Sequence, residues 1–355
     1  MPPTVLHLGW GFPPNVSGGL DTVVGELFEQ FDARDDVDVE LVLPAEYAPD
    51  GRSNVHGVPT GEGDVITRIG RLADEFVDYA ADADVVHTHD WFGFNPGSRA
   101  RAAHDVEWVT TFHSLSADRN RNPPTREVQT EQRIVDSADH LLAVSELTRR
   151  RVREFYGGEA SVLYNGFPTV EASGRDVAAD LGIDGHMLLF VGRHTHQKGI
   201  EYLLYALSKL RRDDVTLVLG GTGHLTEQLQ LFARLLDVEE SVEFVGYVPE
   251  PDLPDYYASA DLFVTPSLAE PFGMTIVEAL SVGTRVVATE CGAAELLPED
   301  CLIEVEPHSD SIADGIERGL AMEGSPSYEE RRWEQVADEH VEFYERVLAG
   351  RPPEE

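Results

Sequence analysis

Short runs of apolar, β-branched residues alternate along the chain with longer stretches in which apolar residues recur every three or four positions. The short runs are apolar at every position, which is typical of strands buried on both faces of a parallel sheet. The longer stretches predict amphipathic helices; in residues 21–31, for example, Val24, Leu27, Phe28 and Phe31 share one face. This alternation predicts an α/β protein with doubly wound sheets.

The series of predicted strands occurs twice. In the first half the predicted strands are residues 5–8, 39–43, 85–88, 108–112, 141–144 and 162–164. In the second half they are residues 187–191, 215–219, 242–245, 262–265, 286–288 and 302–305, with predicted helices at residues 200–211, 224–236, 274–282 and 309–322. A polar stretch at residues 167–185 separates the two series. We expect two doubly wound domains facing a central cleft, where ligands bind at the carboxyl ends of the strands.

The chain is acidic over its whole length. It contains 65 Asp and Glu residues against 27 Lys and Arg residues, which gives a net charge of -38 in 355 residues. Such a surface disfavours nucleic acid, because phosphate contacts need clustered cations, and it disfavours simple electrostatic docking on anionic lipid. The even spread of acidity indicates a surface adapted to high salt, as in a halophilic archaeon, since salt screens like-charge repulsion.

Cysteine usage and the absence of long apolar segments bear on the compartment. Cys291 and Cys301 give neither a disulfide framework nor a zinc-binding spacing; they could pair, but a reduced cytosolic setting is expected. The first residues lack the charged and apolar regions of a signal peptide, and no apolar segment approaches the roughly 20 residues that span a bilayer. We expect a cytoplasmic protein without a transmembrane segment; peripheral membrane contact and the oligomeric state stay open.

Two carboxylates bracket seven residues in the segment from Glu270 to Glu278, and a Pro-Phe-Gly turn within it opens a predicted helix at Met274. The N–H groups at the start of that helix can face a phosphate. Glu278 could accept both hydroxyls of a ribose, and Glu270 could reach a sugar. The alternative is that both are solvated surface acids, which the turn between them disfavours.

Upstream of this segment, Gly192 and Arg193 end a predicted strand, and Lys198 precedes a helix that begins near Gly199. Arg offers a rigid fork and Lys a point charge, which together suit a diphosphate. As surface cations at a helix start they would oppose the helix dipole unless an anion is present. Lys198 is also one of only two lysines, the other being Lys209. The two segments together predict a site for a nucleotide sugar.

The first half offers three further candidates. Gly18-Gly19 precedes the first helix and could let backbone N–H groups approach an anion, or it could be a flexible loop that needs positive φ. His87 and His89 point the same way on a strand and could bind a metal with Asp90, although histidines at strand ends more often hydrogen-bond neighbouring loops. His113 ends the next strand and could donate to a sugar hydroxyl or stabilise charge at the reacting centre.

These motifs resemble those of glycosyltransferase family 4, whose members are retaining, nucleotide-sugar-dependent transferases of the GT-B fold. The resemblance covers nearly the whole chain, and its specific part is the E-x7-E segment with G-R and Q-K-G upstream. It implies a Rossmann-like acceptor-binding domain at residues 1–168 and a Rossmann-like nucleotide-sugar-binding domain at residues 169–326. The remaining residues, 327–355, would form a helix that crosses back to the first domain.

The resemblance also implies roles for single residues. Arg193 and Lys198 would hold the donor diphosphate, Glu270 would contact the donor sugar, and His113 would face that sugar. Donor-binding roles would fall to Gly18, Gly19, Gly192, Phe272, Gly273, Met274 and Glu278, and acceptor-side roles to His87, His89 and Asp90. No metal or cofactor is implied beyond a nucleotide-sugar co-substrate such as a UDP- or GDP-hexose.

Two positions depart from the family pattern. Cys291 stands where members often carry the first glycine of Gly-Gly-x-x-Glu, so the backbone there is expected to be less open. After Asn165 the chain reads Gly-Phe-Pro in place of the usual Gly-Val-Asp. Residues 122–139 are similar to members acting on small soluble acceptors, whereas the opening loop and His-Asp-Trp are similar to glycogen synthases. The acceptor cues therefore conflict.

The sequence thus predicts a retaining hexosyltransferase that moves a hexose from a nucleoside-diphosphate sugar to a sugar, glucan, polyol-phosphate or lipid-linked acceptor. Two alternatives remain. A nucleotide-sugar epimerase of similar build would convert the donor without an acceptor, and a non-catalytic protein would only bind the nucleotide sugar. The intact set of Arg193, Lys198, Glu270 and Glu278 disfavours the second alternative.

Overall fold

The computed structural model of the chain describes residues 2–13, 18–210 and 212–350. The chain divides into two compact units. Unit 1 contains residues 1–117, 122–166 and 331–355, and unit 2 contains residues 118–121 and 167–330. The chain therefore leaves unit 1 at the start of the polar stretch that separates the two series of predicted strands.

Strands and helices alternate through both units. Strands β1 to β7 are Thr4–Leu8, Asp38–Pro44, Val55–Val58, Val85–His89, Glu107–Phe112, His140–Ala143 and Ser161–Val162. Strands β8 to β13 are His186–Val191, Val215–Gly220, Val242–Gly246, Leu262–Thr265, Arg285–Ala288 and Leu302–Glu304. Helices α1 to α13 are Gly19–Asp32, Val65–Tyr79, Phe94–Ala103, Ser116–Arg119, Thr125–Ser137, Glu146–Tyr156, Val177–Asp180, Ile200–Lys209, Thr226–Leu235, Leu253–Ser259, Met274–Ser281, Ser309–Leu320 and Trp333–Leu348.

Each unit is built on one parallel sheet. The strand order is β3-β2-β1-β4-β5-β6-β7 in unit 1 and β10-β9-β8-β11-β12-β13 in unit 2. In both sheets the order reverses beside the first strand, as it does in doubly wound nucleotide-binding folds. The structure confirms the predicted α/β class with two Rossmann-like units. It also locates the two switch points, which lie between β1 and β4 and between β8 and β11.

The core of each unit forms where the apolar strands meet the apolar faces of their helices. In α1 the predicted stripe of Val24, Leu27, Phe28 and Phe31 is buried. The last helix, α13, buries residues at helical spacing along its length and packs against α1 within unit 1. Its Trp333 lies over Gly166, where a Cβ atom would come within 2.5 Å of the indole ring. A close approach of this kind requires glycine.

One strand, β3, was not predicted from the sequence, and several helices are shorter than predicted. In β3 the polar His56 and the glycine Gly57 interrupt the apolar run, and the strand is short and pairs only with β2 in the sheet. Such edge strands bury too little to produce a clear apolar signal. The C-terminal helix expected within residues 327–355 begins only at Trp333, with Arg332 as its N-cap residue.

Two findings concern the cysteines and the length of the helices. Cys291 and Cys301 are buried free thiols. Within the described ranges, none of the helices is both long enough and apolar enough to cross a membrane.

Candidate functional site

The switch point of unit 2 brings together two chain segments that are far apart in sequence. Lys198 follows strand β8 and Glu270 follows strand β11, and the two strands are neighbours in the sheet. The Lys198 ammonium nitrogen lies 2.6 Å from Glu270 Oε2. Both side chains are largely shielded, with exposed fractions of 17% and 10%. A pair this buried is screened less by salt than a surface pair.

Glu270 is held by two donors on the same oxygen. The Ser267 hydroxyl donates to Oε2 at 2.9 Å, in addition to the Lys198 ammonium group. The neighbouring Gln197 side chain donates to the carbonyl oxygen of Ala269 at 3.1 Å. These bonds fix the Glu270 carboxylate, and no described residue donates to its second oxygen, Oε1, which can therefore accept from another donor.

The turn after Lys198 is a place where only glycine suits the backbone. Gly199 has a φ of 61°, in the left-handed region, and precedes α8. A Cβ atom at this position would lie 2.2 Å from the carbonyl oxygen of Pro266. Because residue 199 has no side chain, the Lys198 turn and the chain after β11 can approach each other closely.

Gly192 and Arg193 follow the end of β8 directly. A Cβ atom on Gly192 would lie 3.9 Å from the Cε atom of Lys198, so the lysine stem passes beside this glycine. Arg193 is exposed, and in the described part of the chain no carboxylate pairs with its guanidinium. Gly221 packs on the same turn, since a Cβ there would lie 2.0 Å from Gly192 O. The glycines after β9 therefore serve close packing against the cation-bearing turn.

The turn that opens α11 has the conformation expected of the Pro-Phe-Gly motif. Gly273 has a φ of 103° and is the N-cap residue of α11, whose first residue is Met274. The carbonyl of Phe272 accepts a hydrogen bond from Ala293 N at 2.9 Å, and that of Glu270 accepts one from Gly292 N at 3.2 Å. The Cys291 segment thus braces this turn from the side. The free N–H groups of the first turn of α11 can receive an anion.

Glu278 lies on α11 and accepts a hydrogen bond from the Tyr257 hydroxyl at 2.8 Å. Burial raises the pKa of the Glu278 carboxyl, while the bond from Tyr257 acts in the opposite direction. Burial also raises the pKa of Tyr257 well above its ordinary value, so this hydroxyl is a proton donor in the pair.

The switch point of unit 1 contains a cluster of histidine rings. His7 on β1 lies opposite His87 on β4, and their ring centroids are 4.7 Å apart. His87 is fully buried; its Nδ1 contacts the Tyr344 hydroxyl and its Nε2 the Thr111 hydroxyl, each at 2.7 Å. Both ring nitrogens are therefore occupied inside unit 1. An acceptor-side role for His87 stays a prediction, and its position is in the core.

His89 and His113 contact each other at the same edge of the sheet. His89 Nδ1 lies 3.0 Å from His113 Nε2. Asp90, which has a φ of 47°, accepts from the backbone N–H groups of His113 at 2.8 Å and Ser114 at 3.2 Å. This strained conformation costs on the order of 1–3 kcal/mol and is typical of functional turns. Asp90 therefore positions the loop that carries His113.

Burial keeps the histidines of this cluster neutral near pH 7. It lowers the pKa of His7 to about 3 and the pKa values of His113 and His340 to about 4. The pKa values of His87 and His89 are also well below the ordinary value, for the same reason. The Asp21 carboxylate opposes the lowering of the His113 pKa. Among the described residues, no group of three His, Cys, Asp or Glu side chains has a metal-binding arrangement.

Gly18 and Gly19 lie at the start of α1. Gly18 has a φ of 173°, which any residue can adopt, and a Cβ atom there would meet no neighbour within 4 Å. The positive φ considered for this loop is therefore not found at Gly18. Both glycines are exposed, so their backbone is accessible to a ligand. Residues 14–17 of the same loop lie outside the described residues.

Several residues that shape these sites were not identified from the sequence. They are His7, Asp21, Tyr257, Ser267, His340 and Tyr344. Most of them act on partners that are distant in the chain, such as Tyr344 on His87. Only the contact of Ser267 could have been inferred from a short sequence pattern, because Ser267 lies three residues before Glu270.

Comparisons with known proteins agree with this architecture. Residues 185–322 match the family Glycosyl transferases group 1, and residues 17–171 match Glycosyltransferase Family 4. D-inositol 3-phosphate glycosyltransferase 1 of Catenulispora acidiphila is 30% identical over 79% of this chain and 76% of its own.

Two solved structures share the fold. Sucrose-phosphate synthase from Thermosynechococcus elongatus has a TM-score of 0.80 at 22% identity, covering 98% of this chain and 100% of its own. Anabaena HepE in complex with UDP and glucose has a TM-score of 0.71 at 21% identity, covering 98% of both chains. The chain therefore belongs to the glycosyltransferases, and its two Rossmann-like units have the GT-B fold.

Proposed function

We propose that the protein is a retaining hexosyltransferase that uses a nucleoside-diphosphate hexose as donor. The observation that carries the proposal is the Lys198–Glu270 pair at the switch point of unit 2. It combines a cation for a phosphate with a carboxylate for sugar hydroxyls, beside the exposed Arg193 and the N-terminus of α11. These are the groups that a nucleotide sugar needs within one site.

In the proposed complex the donor diphosphate binds Arg193, Lys198 and the N–H groups at the start of α11. Gly192, Phe272, Gly273 and Met274 offer backbone beside it. Glu278 accepts the ribose hydroxyls, and Glu270 accepts a sugar hydroxyl on Oε1 while Oε2 stays with its two donors. HepE has been solved with UDP and glucose, which supports a UDP-hexose as the first donor to test.

The reaction transfers the hexose with retention. The acceptor hydroxyl oxygen bonds to the anomeric carbon on the face from which the nucleoside diphosphate departs. As the carbon–oxygen bond to the β-phosphate breaks, negative charge builds on that phosphate, and the leaving oxygen takes the acceptor's proton. Arg193, Lys198 and α11 stabilise this charge. We propose that no metal ion or other cofactor is needed, because these protein cations neutralise the diphosphate.

The acceptor is proposed to be a sugar, glucan, polyol-phosphate or lipid-linked hydroxyl, taken up by unit 1. The names of similar proteins include a transferase acting on inositol 3-phosphate and a sucrose-phosphate synthase, which supports phosphorylated acceptors as the first to test. His113 would face the donor sugar, with Gly18-Gly19 at the phosphates or the acceptor and His89 and Asp90 on the acceptor side.

The two lysines of the chain provide a matched test. Lys198→Ala removes the ammonium group beside Glu270, whereas Lys209→Ala removes one that pairs with Asp310 at the surface of unit 2. Loss of a charge-stabilising donor costs about 2.7–4 kcal/mol, or about 10²–10³-fold in kcat. We expect Lys198→Ala to lose transfer from UDP-glucose while its circular dichroism spectrum stays unchanged. We expect Lys209→Ala to keep the transfer activity and the spectrum of the wild type.

Near-normal turnover of Lys198→Ala would contradict the assigned role. Incubation of the wild-type protein with UDP-glucose in the absence of an acceptor separates the alternatives. Conversion of the hexose on the intact nucleotide would indicate an epimerase. Tight UDP-glucose binding without transfer to a sugar, glucan, polyol-phosphate or lipid-linked acceptor would indicate a non-catalytic binding protein.

A further inference from the structure

The hydrogen bond between His89 and His113 raises the question of which ring carries the shared proton. His89 Nδ1 and His113 Nε2 are 3.0 Å apart, so one of them donates. The other nitrogen of His89, Nε2, is buried and has no hydrogen-bond partner in the described part of the chain. His113 Nδ1 is neither hydrogen-bonded to a described residue nor among the buried unpartnered atoms.

Two arrangements of protons are compatible with neutral rings. If His113 Nε2–H donates, His89 accepts on Nδ1 and must carry its own proton on the buried Nε2. If His89 Nδ1–H donates, His89 Nε2 is a bare lone pair, and His113 carries its proton on Nδ1. Burial lowers the pKa values of both rings, which excludes a third proton on the pair near pH 7.

The surroundings of His89 favour the second arrangement. Its ring lies 4.7 Å from the ring of His87 and 5.9 Å from that of His7, centroid to centroid. A buried N–H without an acceptor is among the rarest features of folded proteins, whereas an acceptor with an unused lone pair is tolerated more often. A proton on His89 Nδ1 avoids the orphaned N–H and satisfies the bond to His113.

We propose that His89 is a positioning residue that holds His113 in the Nδ1–H tautomer, so that His113 presents a hydrogen-bond donor at the carboxyl edge of the sheet. The backbone of His113 is fixed independently by Asp90, whose carboxylate accepts from the His113 N–H at 2.8 Å. The tautomer and the loop position are thus set by two neighbouring residues of the same β4 end.

The Nδ1–H tautomer makes His113 the hydrogen-bond donor in its proposed contact with the sugar. An Nδ1–H group donates to an oxygen with a free lone pair, such as a sugar hydroxyl or ring oxygen, and rejects a group that only donates. The inference rests on the proposed function for the identity of the ligand, because His113 is proposed to face the donor sugar. The tautomer itself is a property of unit 1 and is measurable without any ligand.

Nitrogen-15 NMR of the full chain with labelled histidine measures the tautomer directly. Two-bond proton–nitrogen correlations distinguish a protonated from a bare ring nitrogen, and His113→Gln identifies the signals of His113. We expect a protonated Nδ1 and a bare Nε2 for His113 at neutral pH in concentrated KCl. A proton on His113 Nε2 would overturn the proposal.

Two substitutions of His89 then test cause and consequence. His89→Asn keeps an N–H near the position of Nδ1 and should retain the Nδ1–H tautomer of His113. His89→Leu removes it and should shift His113 toward the Nε2–H tautomer, with a loss in kcat/KM of about tenfold for one hydrogen bond. An unchanged tautomer in His89→Leu would show that His89 does not set it.

A matched control and the NMR arm keep the two proposals distinguishable. His104→Leu removes a partly buried histidine of unit 1 that bonds the carbonyl of Val77 and should leave the His113 signals in place. If the wild-type protein transfers no sugar but His113 shows the expected tautomer, the proposed function fails and the role of His89 stands. Equal transfer by His89→Leu and wild type, with a changed tautomer, would show that the proton position has no catalytic consequence.

Discussion

The side chain of Glu278 is partly buried in unit 2 and accepts a hydrogen bond from the Tyr257 hydroxyl. Burial raises the pKa of this carboxyl, and the bond from Tyr257 counteracts the rise. A ribose hydroxyl donates best to the ionised carboxylate, which is the stronger acceptor. Tyr257 therefore controls over which pH range Glu278 can serve the proposed ribose contact.

Removing the Tyr257 hydroxyl tests this control. In Tyr257→Phe the pKa of Glu278 should rise further, so the carboxylate is lost at a higher pH as the solution is acidified. At pH values where Glu278 is protonated in the variant but ionised in the wild type, we expect UDP to bind at least about tenfold more weakly, since a hydrogen bond to a charged group contributes about 1.5–3 kcal/mol. Calorimetric titration of UDP over a pH series should show the loss of affinity beginning at higher pH than in the wild type.

Tyr256→Phe provides the control for this substitution. Tyr256 lies on the same helix, α10, and its hydroxyl bonds no described residue. Its UDP titration should match that of the wild type at every pH. Identical pH profiles for Tyr257→Phe and the wild type would remove Glu278 from the UDP site.

Local motifs gave the residues of the candidate donor site, and long-range contacts gave the rest. Arg193, Lys198, Glu270 and Glu278 are recognisable because each follows a strand end or opens a helix. Tyr344 contacts His87 across 257 positions of sequence, and no spacing pattern reports such a pair. The register of the sheet and the docking of α13 add His7, His340 and Tyr344 to His87, His89 and His113, so the complete cluster is seen only in the folded chain.

At the scale of the element, the Lys198 turn depends on its closeness to the chain after β11. Gly199 has a φ of 61°, and a Cβ atom would lie 2.2 Å from Pro266 O. Gly182 has a φ of 70° in the same unit, but a Cβ atom there meets nothing within 4 Å. The two glycines have the same backbone requirement and differ in their surroundings.

We expect Gly199→Ala to be far more damaging than Gly182→Ala. The left-handed conformation alone costs alanine about 1–2 kcal/mol, which is the loss expected for Gly182→Ala. Gly199→Ala must also displace the backbone at Pro266. We expect this displacement to move Lys198 away from Glu270. Urea denaturation should show a larger loss of stability for Gly199→Ala, together with loss of transfer. Equal losses would mean that the two turns do not depend on each other.

Helix α13 links the end of the chain to the histidine cluster through His340 and Tyr344. Burial lowers the pKa of His340 to about 4 in the folded protein, against 6.5 without burial. As the pH falls below 6.5, the unfolded chain therefore binds a proton at this residue before the folded chain does. Stability is fully present above the unfolded pKa and falls with pH until the folded pKa is reached.

His340→Gln should remove this dependence. The difference in the free energy of unfolding between wild type and variant should shrink by on the order of 3 kcal/mol from about pH 7 to about pH 4. The measurement compares the two proteins because the acidic surface, which both of them share, also changes its charge over this pH range. Parallel stability curves for the two proteins would show that His340 is not buried in neutral form.

The two sheets illustrate which elements the apolar pattern can predict. Buried strands such as β8 and β11 appeared at or near their true bounds, because both of their faces are covered. The edge strand β3 was missed, and β7 lies at Ser161–Val162 rather than at residues 162–164. Edge strands are covered on fewer sides, so tertiary pairing rather than apolar content decides their place.

At the scale of the whole molecule, charge is the dominant feature. A net charge of -38 on 355 residues implies strong repulsion within the folded chain, and this figure already includes the 27 Lys and Arg residues. Many arginines form ion pairs at the surface, such as Arg34 with Asp36 and Arg212 with Asp214. Exposed pairs of this kind contribute little, about 0–1 kcal/mol each. Screening by salt is then the main means of reducing the repulsion.

We therefore expect the stability of the protein to rise steeply with salt. The Debye length falls from about 10 Å at 0.1 M to about 3 Å at 1 M, so repulsion between neighbouring carboxylates is largely removed in molar KCl. The urea midpoint of both units should increase between about 0.1 M and about 2 M KCl. Sucrose at matched osmolality separates charge screening from the general exclusion of solutes, because it stabilises without screening. A midpoint that is already maximal in dilute buffer, or one that sucrose raises as much as KCl does, would show that the acidic surface is not an adaptation to salt.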